Sequence, residues 1–294
     1  MTPEEIRKLS YLKAVKLEKL IEQVEKRIGK ASSELTKTML KEFLQKLTVE
    51  QGRVIAQFNR RTLTLFNQAF KQYQETTKAN LINSIVGDID SILDDNDAFY
   101  KQTAPGYDVS KAEIKMILDR RLGIDEKGKL VKHGYMNGLL DDAPIRSEIQ
   151  RFVFKEMFRA SGFESLKKGI KEFIEGDKGK FGLFQKHYKT FSYDAYAQLN
   201  SFTSGQYANQ LGMYHFIYNG GLIETSRAFC KSRNAGVFST EEAENWKNDE
   251  DLVAIEDKER YNWLIDRGGY NCRHSIDFIA PEIAFALRPE LKDS

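Results

Sequence analysis

Residues 17–47 read "LEKLIEQVEKRIGKASSELTKTMLKEFLQKL", and the pattern of this segment sets the fold class. Its apolar residues recur every three or four positions, which is typical of amphipathic α-helices. They are Leu17, Leu20, Ile21, Val24, Ile28, Leu35, Met39, Leu40, Phe43, Leu44 and Leu47. No proline interrupts residues 4–104, and proline and glycine are the residues that break helices. We predict an antiparallel helical hairpin over residues 1–104, in which Gly29 ends the first helix and Ser32 or Ser33 caps the next.

Composition narrows the class of protein. The chain has 294 residues, and its 45 basic and 43 acidic residues leave a formal net charge of +2. Nucleic acid as the main partner is disfavoured, because proteins that bind it through phosphates usually carry a marked basic excess. No stretch is long and apolar enough for a membrane span. Two cysteines do not make a disulfide framework, so we expect folding in a reducing, cytoplasm-like compartment.

The middle of the chain, residues 105–182, is predicted to be helical. Ser110 followed by Glu113 predicts the cap of a helix that reaches Leu122, and Pro144 suits the first turn of a helix that reaches Ala160. The acidic stretch before it, residues 88–105, breaks the apolar pattern and predicts a solvated helix end or turn. The glycine-rich residues 176–182 predict a linker.

After residue 183 the pattern changes toward a small α+β module. We predict a β-hairpin that turns at Asn219-Gly220, then a strand at Gly236, a helix capped by Ser239 and a segment that carries Trp246. The Gly268–Gly269 pair predicts a tight turn beneath Cys272. The predicted domains are therefore residues 1–104, 105–182 and 183–294, in a mainly α fold.

Three segments of this module resemble a known family. They are "Thr225-Ser226-Arg227-Ala228-Phe229-Cys230", "Gly236-Val237-Phe238" and "Gly269-Tyr270-Asn271-Cys272-Arg273-His274". Together with the Trp246 helix they resemble the head morphogenesis module of tailed bacteriophages, the Mu-type minor head protein family, over about residues 190–280. Many members end in His-Pro-Asn-Cys-Arg-Cys. This chain has Gly-Tyr in place of His-Pro, and it lacks the first cysteine of the usual Cys-x-x-Cys pair.

The resemblance implies a structural virion component at the portal vertex or the capsid interior, present in multiple copies per particle and in the host cytoplasm during assembly. Its partners would be the portal protein and other capsid components, with contact to packaged DNA. The resemblance implies no active site. The sequence agrees, since it has no phosphate-binding loop, nucleophile elbow or zinc-protease motif, and we expect no catalytic or cofactor-binding residue.

The chemistry of Cys230, Cys272 and His274 allows four interpretations. In the first, the three residues are ligands of a structural zinc ion, with His215, Asp277 or water in the fourth position. In the second, the two cysteines form a disulfide, and in the third they are buried free thiols. In the fourth, a cysteine is a nucleophile and His274 is its base.

Two arginines and two rival functions complete the sequence-based expectations. Arg227 and Arg273 are predicted to hold loop carbonyls or a carboxylate, with Glu241 and Glu242 as candidate partners, and the alternative is contact with DNA phosphates. One rival function is a Cys/His-dependent hydrolase or toxin-like enzyme, which requires an accessible Cys272 with a depressed pKa. The other is a coiled-coil adaptor that self-associates through residues 4–80.

Overall fold

The computed structural model describes residues 1–55, 60–159 and 162–292, except for the side chains of residues 60 and 189–193. The α-helices are α1 (Pro3–Thr38), α2 (Arg60–Tyr73), α3 (Ala79–Thr103), α4 (Lys111–Leu122), α5 (Tyr135–Leu139), α6 (Ala143–Phe158), α7 (Phe163–Glu175), α8 (Leu183–Leu211), α9 (Ala228–Arg233), α10 (Thr240–Glu244), α11 (Trp263–Asp266) and α12 (Pro281–Leu287). Short π and 3-10 segments cover Met39–Phe43, Leu44–Lys46, Gln74–Lys78, Asn245–Asn248 and Pro289–Lys292.

The strands are few and short: β1 (Val49–Glu50), β2 (Arg53–Val54), β3 (Gly176–Asp177), β4 (Lys180–Phe181), β5 (His215–Gly220), β6 (Gly236–Ser239) and β7 (His274–Ile279). β1 with β2 and β3 with β4 form two small antiparallel hairpins, and β5 lies between β6 and β7 in an antiparallel sheet. The predicted mainly α fold with a small C-terminal α+β module is confirmed.

The chain forms two compact units, and each is discontinuous in sequence. The first comprises residues 1–22, 87–131 and 192–294, and the second comprises residues 23–86 and 132–191. The chain passes from one unit to the other within the long helices α1, α3 and α8 and once more in the loop between α4 and α5. The division into three consecutive domains stays a prediction.

The N-terminal helices pair in reverse order, as an antiparallel hairpin requires. The contacts are Lys16 to Asp95 in the first unit, and Arg27 to Ser84 and Phe43 to Phe66 in the second. The predicted break at Gly29 is wrong, because α1 runs through it. Ile28 and Ala31 on either side are buried, and their packing outweighs the roughly 1 kcal/mol that a helical glycine costs.

The acidic residues 88–105 do not interrupt the helix as predicted, because α3 continues through them, and the predicted helix end comes only at Thr103. Ile92 and Phe99 are buried and carry the apolar stripe through the acidic stretch. Asn96 is buried as well, and its side-chain amide donates to the Asn200 side chain at 3.0 Å. A polar residue in the stripe thus donates to a partner more than a hundred residues away.

The predicted helix caps are confirmed at Ser110 and Ser239. The Ser110 hydroxyl accepts from the backbone NH of Glu113, and Ser239 with Glu242 forms a complete capping box that starts α10. Pro144 lies in the first turn of α6, whereas the predicted end at Ala160 lies outside the described residues. The predicted linker folds into the β3–β4 hairpin.

The second unit has a mainly helical core. Phe66 stacks on Phe70 with ring centres 6.3 Å apart and also contacts Phe154 at 6.0 Å. The buried Asp142 is neutralised there by Lys78 at 2.8 Å. This unit carries none of the cysteines.

The turn predicted at Asn219-Gly220 is wrong, because both residues lie within β5. Gly220 is needed for a close approach rather than a turn: a Cβ there would lie 2.5 Å from the carbonyl oxygen of Arg273. The chain instead leaves β5, crosses α9 and returns along β6. Cys230 therefore lies on a short helix, within a connection between antiparallel strands.

Candidate metal centre

The central strand β5 organises a buried cluster in the first unit. Side chains alternate between the two faces of a strand, so Phe216 and Tyr218 share one face. On the same face, β7 places Ile276 opposite Tyr218 and Phe278 opposite Phe216. His274, two residues before Ile276, belongs to this face.

Both thiols and one imidazole meet there. The sulfurs of Cys230 and Cys272 lie 3.8 Å apart, and Sγ of Cys272 lies 3.7 Å from Nδ1 of His274. One ligand atom from each side chain lies within 4.8 Å of the other two. The three residues are only 4%, 1% and 2% exposed, respectively. Three residues that are 2 and 42 positions apart in sequence thus form one buried cluster.

Tyr218 covers this cluster. Its ring stacks on His274 with centroids 4.6 Å apart and planes 9° from parallel. Its hydroxyl lies 3.3 Å from the sulfur of Cys272 and 3.9 Å from that of Cys230. The phenol therefore contacts both thiols and the imidazole.

Asn234 fixes the orientation of the imidazole. Nε2 of His274 lies 3.1 Å from Oδ1 of Asn234, and the same oxygen accepts from the backbone NH of Gly220 at 3.2 Å. An amide oxygen accepts only, so Nε2 carries the proton and donates it. Nδ1 consequently presents its lone pair toward the sulfurs.

The two thiols titrate in opposite directions. The hydrogen bond between the sulfurs raises the pKa of Cys230, and burial raises it further. The same bond lowers the pKa of Cys272 against the effect of burial, and the nearby guanidinium of Arg267 lowers it too. Burial raises the pKa of Tyr218 well above its usual value. Of the two thiols, Cys272 is therefore the more acidic, and Cys230 and Tyr218 lie within reach to donate to its sulfur.

Glycines give the sulfurs their space. A Cβ at Gly268 would lie 2.4 Å from the sulfur of Cys230 and 3.3 Å from that of Cys272. Gly269 and Asn271 adopt positive φ angles of +87° and +56°. The backbone NH of Cys272 donates to the carbonyl of Gly269 at 3.0 Å, so the predicted tight turn is present.

The predicted arginine contacts are present in part. Arg227 donates to the carbonyl oxygens of Gly268 and Tyr270, at 3.2 and 2.6 Å, and holds the turn from outside. Arg273 pairs with Glu18 at 2.6 Å, whereas Glu242 pairs with Arg288.

The remaining motif residues support the same core. Glu242 binds Arg288 at 2.6 Å, which ties α10 to the end of α12. Trp246 contacts five other aromatic rings, those of Phe216, Tyr218, Phe229, Phe238 and Trp263. A Cβ at Gly236 would lie 2.7 Å from the Phe238 ring.

Neither residue predicted as a fourth ligand reaches the cluster. Strand alternation places His215 and Asp277 on the opposite face of the sheet. The carboxylate of Asp277 instead accepts from Ser10 at 2.7 Å and pairs with Lys13.

Sequence reasoning missed Tyr218, Asn234 and Arg267 as neighbours of the cluster. Arg267 is 1% exposed and donates to the carbonyl of Ile265 at 2.5 Å and to Ser201 at 3.3 Å. Two-residue alternation along 215–220 was the available signal for Tyr218. For Asn234 and Arg267 there was none, because their roles depend on contacts across the fold.

Among the described residues, no helix combines the length and the apolar character that crossing a membrane requires. No protein-family model, curated protein or solved structure is significantly similar to this chain.

Proposed function

We propose that this protein is a minor head protein of a tailed bacteriophage, a structural component that docks at the portal or the inner capsid. The observation that carries the proposal is the convergence of the three segments that resemble that family. Cys230 of the first segment and Cys272 of the last are in contact, and Gly236 and Val237 of the middle segment pair with β5. Residues scattered over fifty positions thus build one compact core.

Burial favours a structural role for this core over a catalytic one. Cys272 and His274 are 1% and 2% exposed, so a substrate cannot reach the sulfur in this conformation. The lowered pKa of Cys272 meets one requirement of the rival hydrolase, but the required access is not met. A thiol reagent separates the two functions: the proposal expects slow labelling of the folded protein, and an enzyme expects rapid labelling of Cys272.

The coiled-coil adaptor has less support. Ile21, Val24 and Ile28, which belong to the stripe it would use for self-association, are already buried within the chain. A docking surface on α1 is better represented by Tyr11 and Leu12, which are 50% and 47% exposed. Exposed apolar side chains of this kind suit a groove on a partner such as the portal protein.

The test is quantitative mass spectrometry of purified particles from the phage or prophage that encodes the chain. We expect a small, fixed number of copies beside the portal and major capsid proteins. Absence from both mature particles and procapsids contradicts the proposal and makes the enzyme the function to test.

A pair of variants sharpens the same experiment. In a phage that lacks the gene, Tyr11→Ser/Leu12→Ser supplied in trans should reduce the copies per particle. Val253→Ser is the matched control, because Val253 is 75% exposed and lies on the C-terminal module. Equal incorporation of both variants contradicts docking through α1 while leaving the particle assignment to the first measurement.

A further inference from the structure

We propose that Cys230, Cys272 and His274 bind one structural Zn²⁺ ion that pins α9 to the start of β7. The first argument is distance. Two thiolates at about 2.3 Å from a tetrahedral zinc lie about 3.8 Å apart, and a thiolate and an imidazole nitrogen lie about 3.6 Å apart. The observed separations are 3.8 Å between the sulfurs and 3.7 Å from Sγ of Cys272 to Nδ1 of His274. Two edges of the tetrahedron therefore have the required length.

The remaining distance, between Cys230 and His274, and the fourth corner of the zinc tetrahedron complete the geometry. The widest distance among the three ligand atoms is at most 4.8 Å, so it must shorten by up to about 1.2 Å on binding. The hydroxyl oxygen of Tyr218, 3.3 and 3.9 Å from the two sulfurs, stands near the position of a fourth ligand. An oxygen ligand at about 2.0 Å from zinc would lie about 3.5 Å from each sulfur.

The orientation of His274 is the second argument. A histidine that binds zinc usually donates its other ring NH to a carbonyl or carboxylate, which fixes its tautomer. Asn234 accepts from Nε2, and its oxygen is itself held by the backbone NH of Gly220. Nδ1 is thereby left unprotonated and directed to the sulfurs.

Charge and ligand type select the metal. Two thiolates neutralise one divalent cation, so the loaded site carries no net charge in a buried location. Each thiol that is still protonated releases its proton when the metal binds. Sulfur and imidazole nitrogen favour Zn²⁺ over Ca²⁺ or Mg²⁺, which prefer oxygen ligands. The site does not rest on the proposed function, since a zinc staple suits a small module in any structural or enzymatic protein.

The experiment uses the full-length chain, expressed with zinc in the medium and purified under reducing conditions. We expect one zinc ion per chain by elemental analysis. Refolding with Co²⁺ as the probe should give the intense visible bands of a tetrahedral site and thiolate-to-cobalt charge transfer in the near ultraviolet. Refolding with a chelator should lower the Tm.

Variants assign the ligands. Cys230→Ser, Cys272→Ser and His274→Gln should each lose the bound metal and the cobalt bands. His215→Gln is the matched control, because His215 lies on the other face of the same sheet and should leave the metal content unchanged.

If the ligand variants fail to fold, the cobalt spectrum of the unmodified chain still decides. Wild-type protein with neither zinc nor a thiolate–cobalt band overturns the proposal, as does metal that persists in the Cys230→Ser/Cys272→Ser double variant. A mass lowered by the two hydrogens of a Cys230–Cys272 disulfide, in protein without metal, overturns it in favour of a cross-link.

Discussion

The two faces of the sheet around β5 differ in what they bury: one buries aromatic rings and sulfur atoms, and the other includes hydrogen-bonded polar and charged groups. On one face, Phe216 and Tyr218 pack among tryptophans, phenylalanines and sulfur atoms. On the other, Asn219 donates to Ser10 at 2.8 Å, and Asp277 is held by Ser10 and Lys13. Asp277 is fully buried and Lys13 nearly so.

This contrast shows what each face contributes. The aromatic and sulfur face removes apolar surface from water and needs no particular partner to be favourable. The polar groups of the other face contribute little net energy, because the ion pair loses its hydration, but removing one of them leaves its partner buried and unpaired. Ser10, Lys13, Asn219 and Asp277 therefore act as a lock that sets how the first turns of α1 lie on the sheet.

Breaking this lock with Asp277→Asn should have the most severe consequence. The variant leaves the ammonium group of Lys13 buried without its counter-ion. Breaking a buried pair in this way costs about 3–5 kcal/mol. The unfolding free energy from urea denaturation should fall by that amount.

Two further variants test whether charge is the cause. Lys13→Met/Asp277→Asn removes both charges and should recover most of the loss. Lys16→Ala removes an exposed cation from its pair with Asp95 and should cost less than about 1 kcal/mol. If Lys16→Ala lowers the unfolding free energy as much as Asp277→Asn does, burial of the Lys13–Asp277 pair is not the cause of the loss.

The aromatic and sulfur face should fail through crowding, and Gly268→Ala tests this. The new methyl group would lie 2.4 Å from the sulfur of Cys230 and 3.3 Å from the ring of Phe229. Overpacking of this kind costs about 1–3 kcal/mol. Gly87→Ala is the matched control: a methyl group there would have no neighbour within 4 Å, and a helical glycine-to-alanine change should stabilise by about 0.5–1 kcal/mol. Equal effects in both variants would contradict a tight site around the sulfurs.

A smaller effect is expected at the helix that leads to Trp246. Ser239→Ala removes the capping box that starts α10 and should cost about 1 kcal/mol in thermal or urea unfolding. Ser110→Ala removes a cap in which only the serine hydroxyl accepts, at 3.3 Å, and should cost less. If the Ser239 variant costs nothing, packing of Trp246 alone positions this helix.

The sequence contained the local part of this fold. Apolar spacing identified the helices, and Ser110 and Ser239 marked two starts correctly, because a cap and its helix lie within four residues of each other. Gly29 and Gly220 were misinterpreted for a common reason. Glycine ends a helix or forms a turn only where no contact with a distant part of the chain favours a different backbone conformation. At Gly29 packing compensates, and at Gly220 a neighbouring strand requires the absent side chain.

The candidate site could likewise be predicted only in part from the sequence. Cys230, Cys272 and His274 stood out by residue type, and the structure does bring them together. Two of the predicted candidates for a fourth ligand, His215 and Asp277, are near these residues in sequence, but strand alternation places them on the other face of the sheet. The lock between Ser10 and Asp277 joins residues 267 positions apart, a separation at which a single sequence gives no pairing signal.

The smallest expected effect is a dependence of the unfolding free energy on pH that comes from His215, on the polar face of the sheet. Burial lowers the pKa of His215, against the opposite influence of Glu242, and no described hydrogen-bond partner reaches its Nδ1. The unfolded chain therefore takes up this proton at a higher pH than the folded one, near the ordinary value of about 6.5. The unfolding free energy should fall as pH drops through and below that value, and His215→Gln should flatten this slope. Urea unfolding between about pH 5 and pH 8 measures it. If the unfolding free energy of the variant depends on pH as strongly as that of the wild type, groups other than His215 cause the loss of stability in acid.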